Sequence, residues 1–115
     1  MSKFPKRGEI WLVQFDPEVG SEQGGTRPAV ILQNDIGNKH GSTSIVAAVT
    51  STLRQMPTHV YLDVEDGVKN PSMLILEQIH TIDKKRLVKK LGSINEEKFK
   101  EIYEAILYSL GFKEV

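Results

Sequence analysis

The sequence predicts a mainly β protein, a small and strongly bent antiparallel β-barrel of SH3-like character with one C-terminal α-helix. Three observations indicate this fold class. Six short segments have the composition of β-strands, and the end of the chain changes to helical spacing of its apolar residues. The length of 115 residues suits one domain and is too short for two. We therefore expect residues 1–115 to form a single domain.

The predicted strands cover residues 8–15, 28–33, 43–50, 59–63, 72–82 and 86–94. The second and third are continuous apolar runs, which are typical of buried strands. The fourth alternates, with Val60 and Leu62 on one face and Tyr61 on the other. Turn dipeptides such as Asp16-Pro17 and Asp66-Gly67 separate the strands.

The C-terminal segment has the pattern of an amphipathic helix over about residues 95–110. Its apolar stripe consists of Phe99, Ile102, Tyr103, Ile106 and Leu110. Either Ser93, in a capping box with Glu96, or Asn95 is expected to cap its start, and Gly111 is expected to end it. A sheet of several short strands needs a cover over its open side, so this stripe is expected to pack on the core.

The composition is that of a soluble globular protein, with 39% hydrophobic residues and equal numbers of basic and acidic residues, 15 of each. No apolar run approaches the length that spans a bilayer, and the N-terminal residues lack an apolar signal core. The absence of cysteine excludes a disulfide framework and a thiolate nucleophile. These features predict a cytoplasmic protein that does not associate with membranes.

Basic residues are nevertheless concentrated in one segment, which contains Lys84, Lys85, Arg86, Lys89 and Lys90. Such a run is either a solvated face or a surface for nucleic acid. A net charge of zero argues against nonspecific coating of nucleic acid, but it leaves a local basic groove open.

Several catalytic chemistries lack their signatures. The histidines His40, His59 and His80 do not have metal-ligand spacing, and neither an HExxH motif nor a clustered carboxylate motif is present. No phosphate-binding loop of the Walker type and no nucleophile elbow occur, although a triad assembled in space stays open. We therefore expect no metal and no cofactor.

The loop at residues 20–28, GSEQGGTRP, carries one permanent positive charge, Arg27, directly before an apolar strand. A guanidinium presents a planar fork of donors that matches phosphate oxygens. Gly24 and Gly25 allow close approach of the backbone to a ligand, and Pro28 biases Arg27 toward an extended conformation. An ordinary turn with a solvated arginine is the alternative reading of this loop.

Four segments in order along the chain resemble those of MazF/PemK-type endoribonuclease toxins. They are GEIWLVQFDP at 8–17, GSEQGGTRPAVILQND at 20–35, SIVAAVTS at 44–51 and LEQIHTIDKKRL at 76–87. The resemblance implies a homodimer with the MazF/PemK/CcdB-like plasmid maintenance toxin fold, found in the bacterial cytoplasm. It also implies metal-independent, sequence-specific cleavage of single-stranded RNA, and inhibition by a cognate antitoxin whose disordered acidic tail occupies the RNA groove.

Carried over onto this sequence, the catalytic pair of the family falls on Arg27 and Thr50. Arg27 and the Thr50 hydroxyl would stabilise negative charge on the phosphate while the 2′-OH of the substrate attacks. Glu22 is the first candidate for the general base, with a solvated loop carboxylate as the alternative. Glu77 is the second, with a strand carboxylate paired to a basic neighbour as the alternative. Some members carry arginine at the position of Ile75, so a mechanism that needs that arginine does not transfer. Other members also show arginine at the position of His80, and this exchange either shifts the preference for the base or changes the contact to the phosphate.

The resemblance further implies RNA contacts for Ser21, Gln23, Asn34, Gln78, Glu77 and His80. Amide side chains suit unpaired bases because they both donate and accept hydrogen bonds. Phe15 is expected to stack on a base, whereas for Trp11 core packing is the preferred expectation. Two other functions stay open: a noncatalytic SH3-like module that binds RNA or a peptide, and a gyrase-inhibiting toxin of the same fold.

Overall fold

The computed structural model describes residues 4–15 and 25–114. Six strands are present: β1 Glu9–Gln14, β2 Thr26–Ile31, β3 Thr43–Thr50, β4 His59–Leu62, β5 Ser72–Asp83 and β6 Leu87–Ser93. Two helices accompany them, α1 Asp35–His40 and α2 Lys98–Ser109, with short 3₁₀ turns at Val64–Asp66 and Lys84–Arg86. No helix within the described ranges is long and apolar enough to cross a membrane.

The strands form one antiparallel sheet in the order β4-β5-β3-β2-β1-β6. The predicted fold, six antiparallel strands with a C-terminal helix, is confirmed. The sheet is not closed, however, because the edge strands β4 and β6 are not paired with each other in the part of the chain that the structure describes. It is a bent, open sheet rather than a complete barrel.

The longest strand, β5, bends at its middle. Ala47 of β3 pairs with Ile79, but the next residue, Ala48, pairs with Ile75. Residues 76–78 are therefore extra in β5, and such a bulge bends a strand and interrupts its pairing. The segment before the bulge pairs with both β3 and β4, whereas the segment after it pairs with β3 alone. Glu77 and Gln78 consequently lie at a corner of the sheet.

Both faces of the central strands are buried. On one face, α2 packs Ile102 and Ala105 against a cluster that includes Val30 of β2. On the other face, Ala29 and Ile31 of the same strand join a second cluster. This double burial explains why β2 and β3 read as continuous apolar runs rather than as alternating patterns.

Helix α1 was not expected, because the sequence predicts no helix between the strands at 28–33 and 43–50. The Asn34 side chain caps this helix by accepting a hydrogen bond from the Gly37 N–H at 2.8 Å. Asn38 is fully buried and accepts from the Ser44 hydroxyl at 2.7 Å, while Lys84 donates to its backbone carbonyl. Polar contacts to distant residues thus stabilise a helix whose sequence has no apolar periodicity.

The predicted start of the C-terminal helix was wrong by three residues, since α2 begins at Lys98. Ser93 cannot cap it, because Ser93 is the last residue of β6 and pairs with Glu9. Asn95 does not cap it either, since its side chain donates to Glu65 and Asp66. The end agrees with the prediction: Gly111 adopts a positive φ of 78°, as a helix-ending glycine does.

Candidate active site

Arg27 and Thr50 occupy facing positions on neighbouring strands. Strand β2 pairs with β3 in a register that places Ala29 opposite Ala48. Continuing this register by two residues places Arg27 opposite Thr50. Side chains of directly opposite residues lie on the same face of a sheet. The two residues predicted to form the catalytic pair therefore lie opposite each other just beyond the paired segment of β2 and β3.

The Arg27 guanidinium is available to a ligand. Arg27 is half-buried, and within the described residues its side chain has no hydrogen bond or ion pair. A guanidinium has five N–H donors, and none of those of Arg27 donates to a described residue, so they are available to a ligand. A cation without internal partners beside a hydroxyl is a suitable arrangement for binding an anion.

The Thr50 hydroxyl is oriented by the backbone that follows it. The N–H of Thr52 donates a hydrogen bond to Thr50 Oγ1 at 3.2 Å. This contact uses a lone pair of the oxygen and leaves the hydroxyl hydrogen free to donate. The Thr50 hydroxyl can therefore donate a hydrogen bond to an anion placed between it and Arg27.

Part of the basic run lies at the same end of the sheet as Arg27. Val13 of β1 pairs with Arg27 on one side and with Leu87 on the other. Adjacent strands are about 4.8 Å apart, so the start of β6 is about 10 Å from Arg27 along this row. Arg86, directly before β6, donates to the Gln14 carbonyl at 3.3 Å.

The lysines of the basic segment, residues 84–90, differ in whether they already have a partner within the described residues. Lys84 donates to the Asn38 carbonyl, and Lys90 forms an ion pair with Glu9 at 3.0 Å. Lys85 and Lys89 are exposed and have no ion pair within the described ranges. These two residues are the ones whose charge remains available to an external polyanion.

A cleft of about 490 Å³ borders the pair. Its apolar wall consists of Ile10, Pro28, Val49, Val64, Val68 and Leu91, and its polar rim includes Arg27, Thr50, Ser51, Lys69, Asn70 and Ser72. Consecutive residues of a strand face opposite sides, so Pro28 and Val49 line the wall while the side chains of Arg27 and Thr50 belong to the other face. The pair therefore lies at the border of the cleft, with Lys69 as a second cation on its rim.

Gly67 shapes the wall of this cleft. It has a φ of 96°, and a Cβ atom at this position would lie 2.8 Å from the Ser93 carbonyl oxygen. Only glycine adopts this conformation without strain and also allows the backbone to approach β6 so closely. The turn that leads to Lys69 is thus packed directly on the edge strand.

Glu77, the second candidate for the general base, is engaged through both carboxylate oxygens. Oε1 accepts from the Thr58 hydroxyl at 2.6 Å, and Oε2 lies 3.0 Å from Nε2 of His59. Burial raises the pKa of Glu77, but the hydrogen bonds from Thr58 and His59 outweigh it and hold the pKa below its usual value. A carboxylate held in this way is a weak proton acceptor, so its arrangement is that of a structural anchor.

Gln78 and His80 follow on β5, and each has a buried polar atom without a partner among the described residues, Oε1 in Gln78 and Nε2 in His80. Buried polar atoms are almost always hydrogen-bonded, so these two are unusual. The His80 ring lies 5.0 Å from that of Phe15.

The expectation that Phe15 stacks on an RNA base disagrees with its position. Phe15 is 5% exposed and belongs to the second core cluster, so its ring faces are covered. Trp11 also packs against that cluster, as expected, and its Nε1 donates to Glu9 at 2.9 Å.

The remaining predicted residues are not placed beside the pair. Asn34 follows the opposite end of β2 from Arg27, and its side chain caps α1. Ser21, Glu22 and Gln23 lie outside the described residues. Within the described ranges, no three His, Asp or Glu side chains are grouped so that they could hold a metal ion.

Sequence reasoning missed three residues at this end of the molecule. His59 was considered only as a metal ligand, and Thr58 and Lys69 were not singled out. The Thr58 and His59 side chains meet Glu77 across 19 and 18 positions of sequence, so no local pattern reveals the contact. For Lys69 the only signal is an isolated cation near the Asp66-Gly67 turn.

Comparison with known proteins identifies the class. Residues 6–110 match the family model of PemK-like, MazF-like toxins of type II toxin-antitoxin systems. The chain is 44% identical over 109 residues to endoribonuclease EndoA of Bacillus subtilis. The aligned region covers 92% of this chain and 94% of that protein.

Solved structures agree with this result. MazF of Deinococcus radiodurans superposes with a TM-score of 0.80 at 27% identity, covering 96% of this chain and 99% of that one. A MazE–MazF structure of the same organism matches with a TM-score of 0.76 at 25% identity, covering 95% of this chain and 97% of that one.

The matches define a toxin of the MazF/PemK endoribonuclease type. The chain belongs to the PemK-like, MazF-like toxin family, as the four sequence segments predict.

Proposed function

We propose that this toxin is a metal-independent, sequence-specific endoribonuclease that cleaves single-stranded RNA through its own 2′-OH. The observation that carries the proposal is the β2–β3 register, whose continuation by two residues places Arg27 opposite Thr50. In the described part of the chain the Arg27 side chain has no hydrogen bond or ion pair. The 44% identity to a protein named as an endoribonuclease supports the same activity.

In the proposed reaction the 2′-oxygen forms a bond to the adjacent phosphorus, and the bond from phosphorus to the 5′-oxygen breaks. The 2′-OH loses its proton and the departing 5′-oxygen gains one, so the products are a 2′,3′-cyclic phosphate and a 5′-OH without the entry of water. Negative charge grows on the nonbridging oxygens in the transition state. Arg27 and the Thr50 hydroxyl stabilise that charge because both are donors fixed before the substrate arrives.

The general base is assigned to Glu22 rather than to Glu77. Glu77 has both oxygens engaged and a lowered pKa. Glu22 belongs to the same predicted loop as Arg27, although its position lies outside the described residues. Arg27 itself is a poor proton exchanger, because a guanidinium keeps its charge at any working pH.

Cations around the pair support an RNA path along this end of the sheet. Arg86 is about two strands from Arg27, and Lys85, Lys89 and Lys69 are exposed. In the proposed path, the Gln78 and His80 atoms that lack partners are hydrogen-bonding sites for RNA. In this proposal RNA supplies partners for two atoms that have none within residues 4–15 and 25–114.

We further propose that the toxin acts as a homodimer in the bacterial cytoplasm and is neutralised by a cognate antitoxin. The disordered acidic tail of that antitoxin would occupy the RNA groove, because a groove built for a polyanion also attracts acidic peptides. A MazE–MazF structure among the similar proteins supports an antitoxin as the partner.

The test is cleavage of a mixed-sequence RNA in the presence of EDTA, followed by mapping of the ends. We expect cyclic phosphate and 5′-OH termini at a defined sequence. A substrate with 2′-deoxyribose at the scissile nucleotide should stay intact. Cleavage of that deoxy substrate, or a strict requirement for added divalent metal, would refute the mechanism.

A further inference from the structure

The loop between β3 and β4, residues 51–58, begins directly after Thr50. Residues 51–57 are all exposed, including Leu53 at 55% and Met56 at 37%. An exposed loop that carries apolar side chains beside a catalytic pair is suited to contact a substrate. Its position therefore matters for whatever binds at Arg27 and Thr50.

This loop is tied down at its end by the His59 ring. Nδ1 lies 2.7 Å from the backbone carbonyl oxygen of Arg54, within the loop, and Nε2 lies 3.0 Å from Oε2 of Glu77 on β5. The His59 side chain is only 6% exposed, so water cannot readily replace either partner. Thr58 strengthens the connection, since its hydroxyl donates to the other Glu77 oxygen.

The chemistry of these contacts depends on protons. A backbone carbonyl and a carboxylate are both acceptors, so each ring nitrogen must donate. Only the doubly protonated imidazolium donates from both nitrogens, and a neutral ring makes one contact at the expense of the other. Glu77 and the Arg54 carbonyl, with Thr58 beside them, are the polar groups in contact with His59 among the described residues, and no other charged side chain pairs with it there.

We propose that His59 and Glu77 form a proton-dependent latch that positions residues 51–58 for RNA binding. The part of this inference that concerns RNA rests on the proposed function, whereas the latch itself does not. When His59 is protonated, the ring connects Arg54 to the corner of β5 and the loop is held. When the ring is neutral, one contact is lost and the loop moves away more often. His59 is thus a positioning residue rather than a catalytic one.

The first readout needs no RNA. The Arg54 carbonyl that contacts His59 belongs to the bond that trypsin cleaves, so cleavage after Arg54 should be slower while this contact is made. The Lys113–Glu114 bond in the same digest serves as a reference. We expect the ratio of the two cleavage rates in the wild-type protein to rise about tenfold between about pH 6 and pH 8, the effect expected for one hydrogen bond to a charged group. In His59→Gln the ratio should be high at both pH values.

A second variant keeps the test informative if His59→Gln does not fold. In Glu77→Gln the new amide can donate to Nε2 of a neutral His59, while Nδ1 donates to Arg54 and Thr58 donates to the amide oxygen. Neutral His59 then makes every contact, so the Arg54 bond should stay protected at the higher pH. His40→Gln is the matched control, because His40 is an exposed histidine at the end of α1, and it should behave as wild type.

The second readout is the affinity for an RNA that carries 2′-deoxyribose at the scissile position and is not cleaved. The wild type should bind about tenfold more weakly at about pH 8 than at about pH 6, and His59→Gln should bind with little dependence on pH. An equal trypsin ratio at both pH values, or the wild-type pH dependence retained in Glu77→Gln, would overturn the latch. A pH-dependent loop with RNA affinity that does not follow it would overturn the positioning role. Failure to bind RNA at any pH would refute the proposed function, while the trypsin result would still decide the latch.

Discussion

Replacement of Arg27 separates catalysis from folding more cleanly than any other change in this molecule. Because the Arg27 side chain has no hydrogen bond or ion pair within residues 4–15 and 25–114, truncating it to alanine breaks no described polar contact. Substitutions of this kind change the free energy of unfolding by less than about 0.5 kcal/mol. Loss of one preorganised donor to a developing oxyanion lowers kcat by about 10²–10³, or about 2.7–4 kcal/mol of transition-state stabilisation. We therefore expect Arg27→Ala to fold normally and to be nearly inactive.

The assay is single-turnover cleavage of an RNA with one cut site, measured beside urea unfolding of the same preparation. Arg27→Lys should fall between wild type and Arg27→Ala, because it keeps the charge but loses the planar fork. Arg7→Ala gives the reverse control. The Arg7 guanidinium lies 3.7 Å from the centre of the Phe99 ring, so its loss should reduce stability by about 1 kcal/mol and leave turnover unchanged. Near-normal turnover in Arg27→Ala, or a loss of turnover explained by unfolding, would show that the site is assigned wrongly.

Three further predictions concern the surroundings of the pair. Gly67→Ala should lower the free energy of unfolding, measured in urea, by about 2 kcal/mol or more, because the positive φ of residue 67 and the nearby Ser93 backbone both oppose a Cβ atom. A change below about 0.5 kcal/mol would contradict this. Lys69→Gln should weaken RNA binding for all sequences and reduce the slope of log affinity against log salt by about 0.7, and an unchanged slope would exclude a phosphate contact. Burial raises the pKa of Glu9, but hydrogen bonds from Trp11, Lys6 and Lys90 lower it more strongly, so the pKa in the folded protein lies below the unfolded value near 4.5. The stability that Glu9 contributes is therefore fully present above the unfolded pKa and is lost as the pH falls through the folded pKa. Glu9→Gln should thus be less stable than wild type by about 1 kcal/mol near pH 7 and equally stable in strong acid, and an equal deficit at both pH values in chemical denaturation would contradict the assignment.

The strands were predictable because their signals are local. Strand β3 occupies Thr43–Thr50, the range that its apolar run and the flanking Gly41 and Ser51 predict. Helix α1 escaped prediction because its stability depends on the contact of Asn38 with Ser44 and with Lys84, which is 46 residues away. A pattern of neighbouring residues does not contain that information.

In the candidate site, too, some features were predictable from the sequence and others depend on contacts between distant residues. Arg27 and Thr50 were predicted from the resemblance of two segments to a known family, and strand pairing accounts for their meeting. The engagement of Glu77 by His59 depends on the corner in β5, which arises from three extra residues between Ile75 and Ile79. No sequence signal marks that bulge, so the sequence left two readings of Glu77 open, a general base and a strand carboxylate paired to a basic neighbour.

Thr50 connects the chemistry to the loop that follows it. Its oxygen accepts from the N–H of Thr52, so the first turn of the loop and the hydroxyl of the proposed catalytic pair share one hydrogen bond. The other end of the loop is held to β5 by His59 and by the Leu76 N–H, which donates to the Thr58 carbonyl at 2.9 Å. A loop fixed at both ends transmits a change at His59 to Thr50 only through its own backbone. Substrate binding should therefore respond to the latch more strongly than the chemical step does, because the Arg27 position on β2 is independent of the loop.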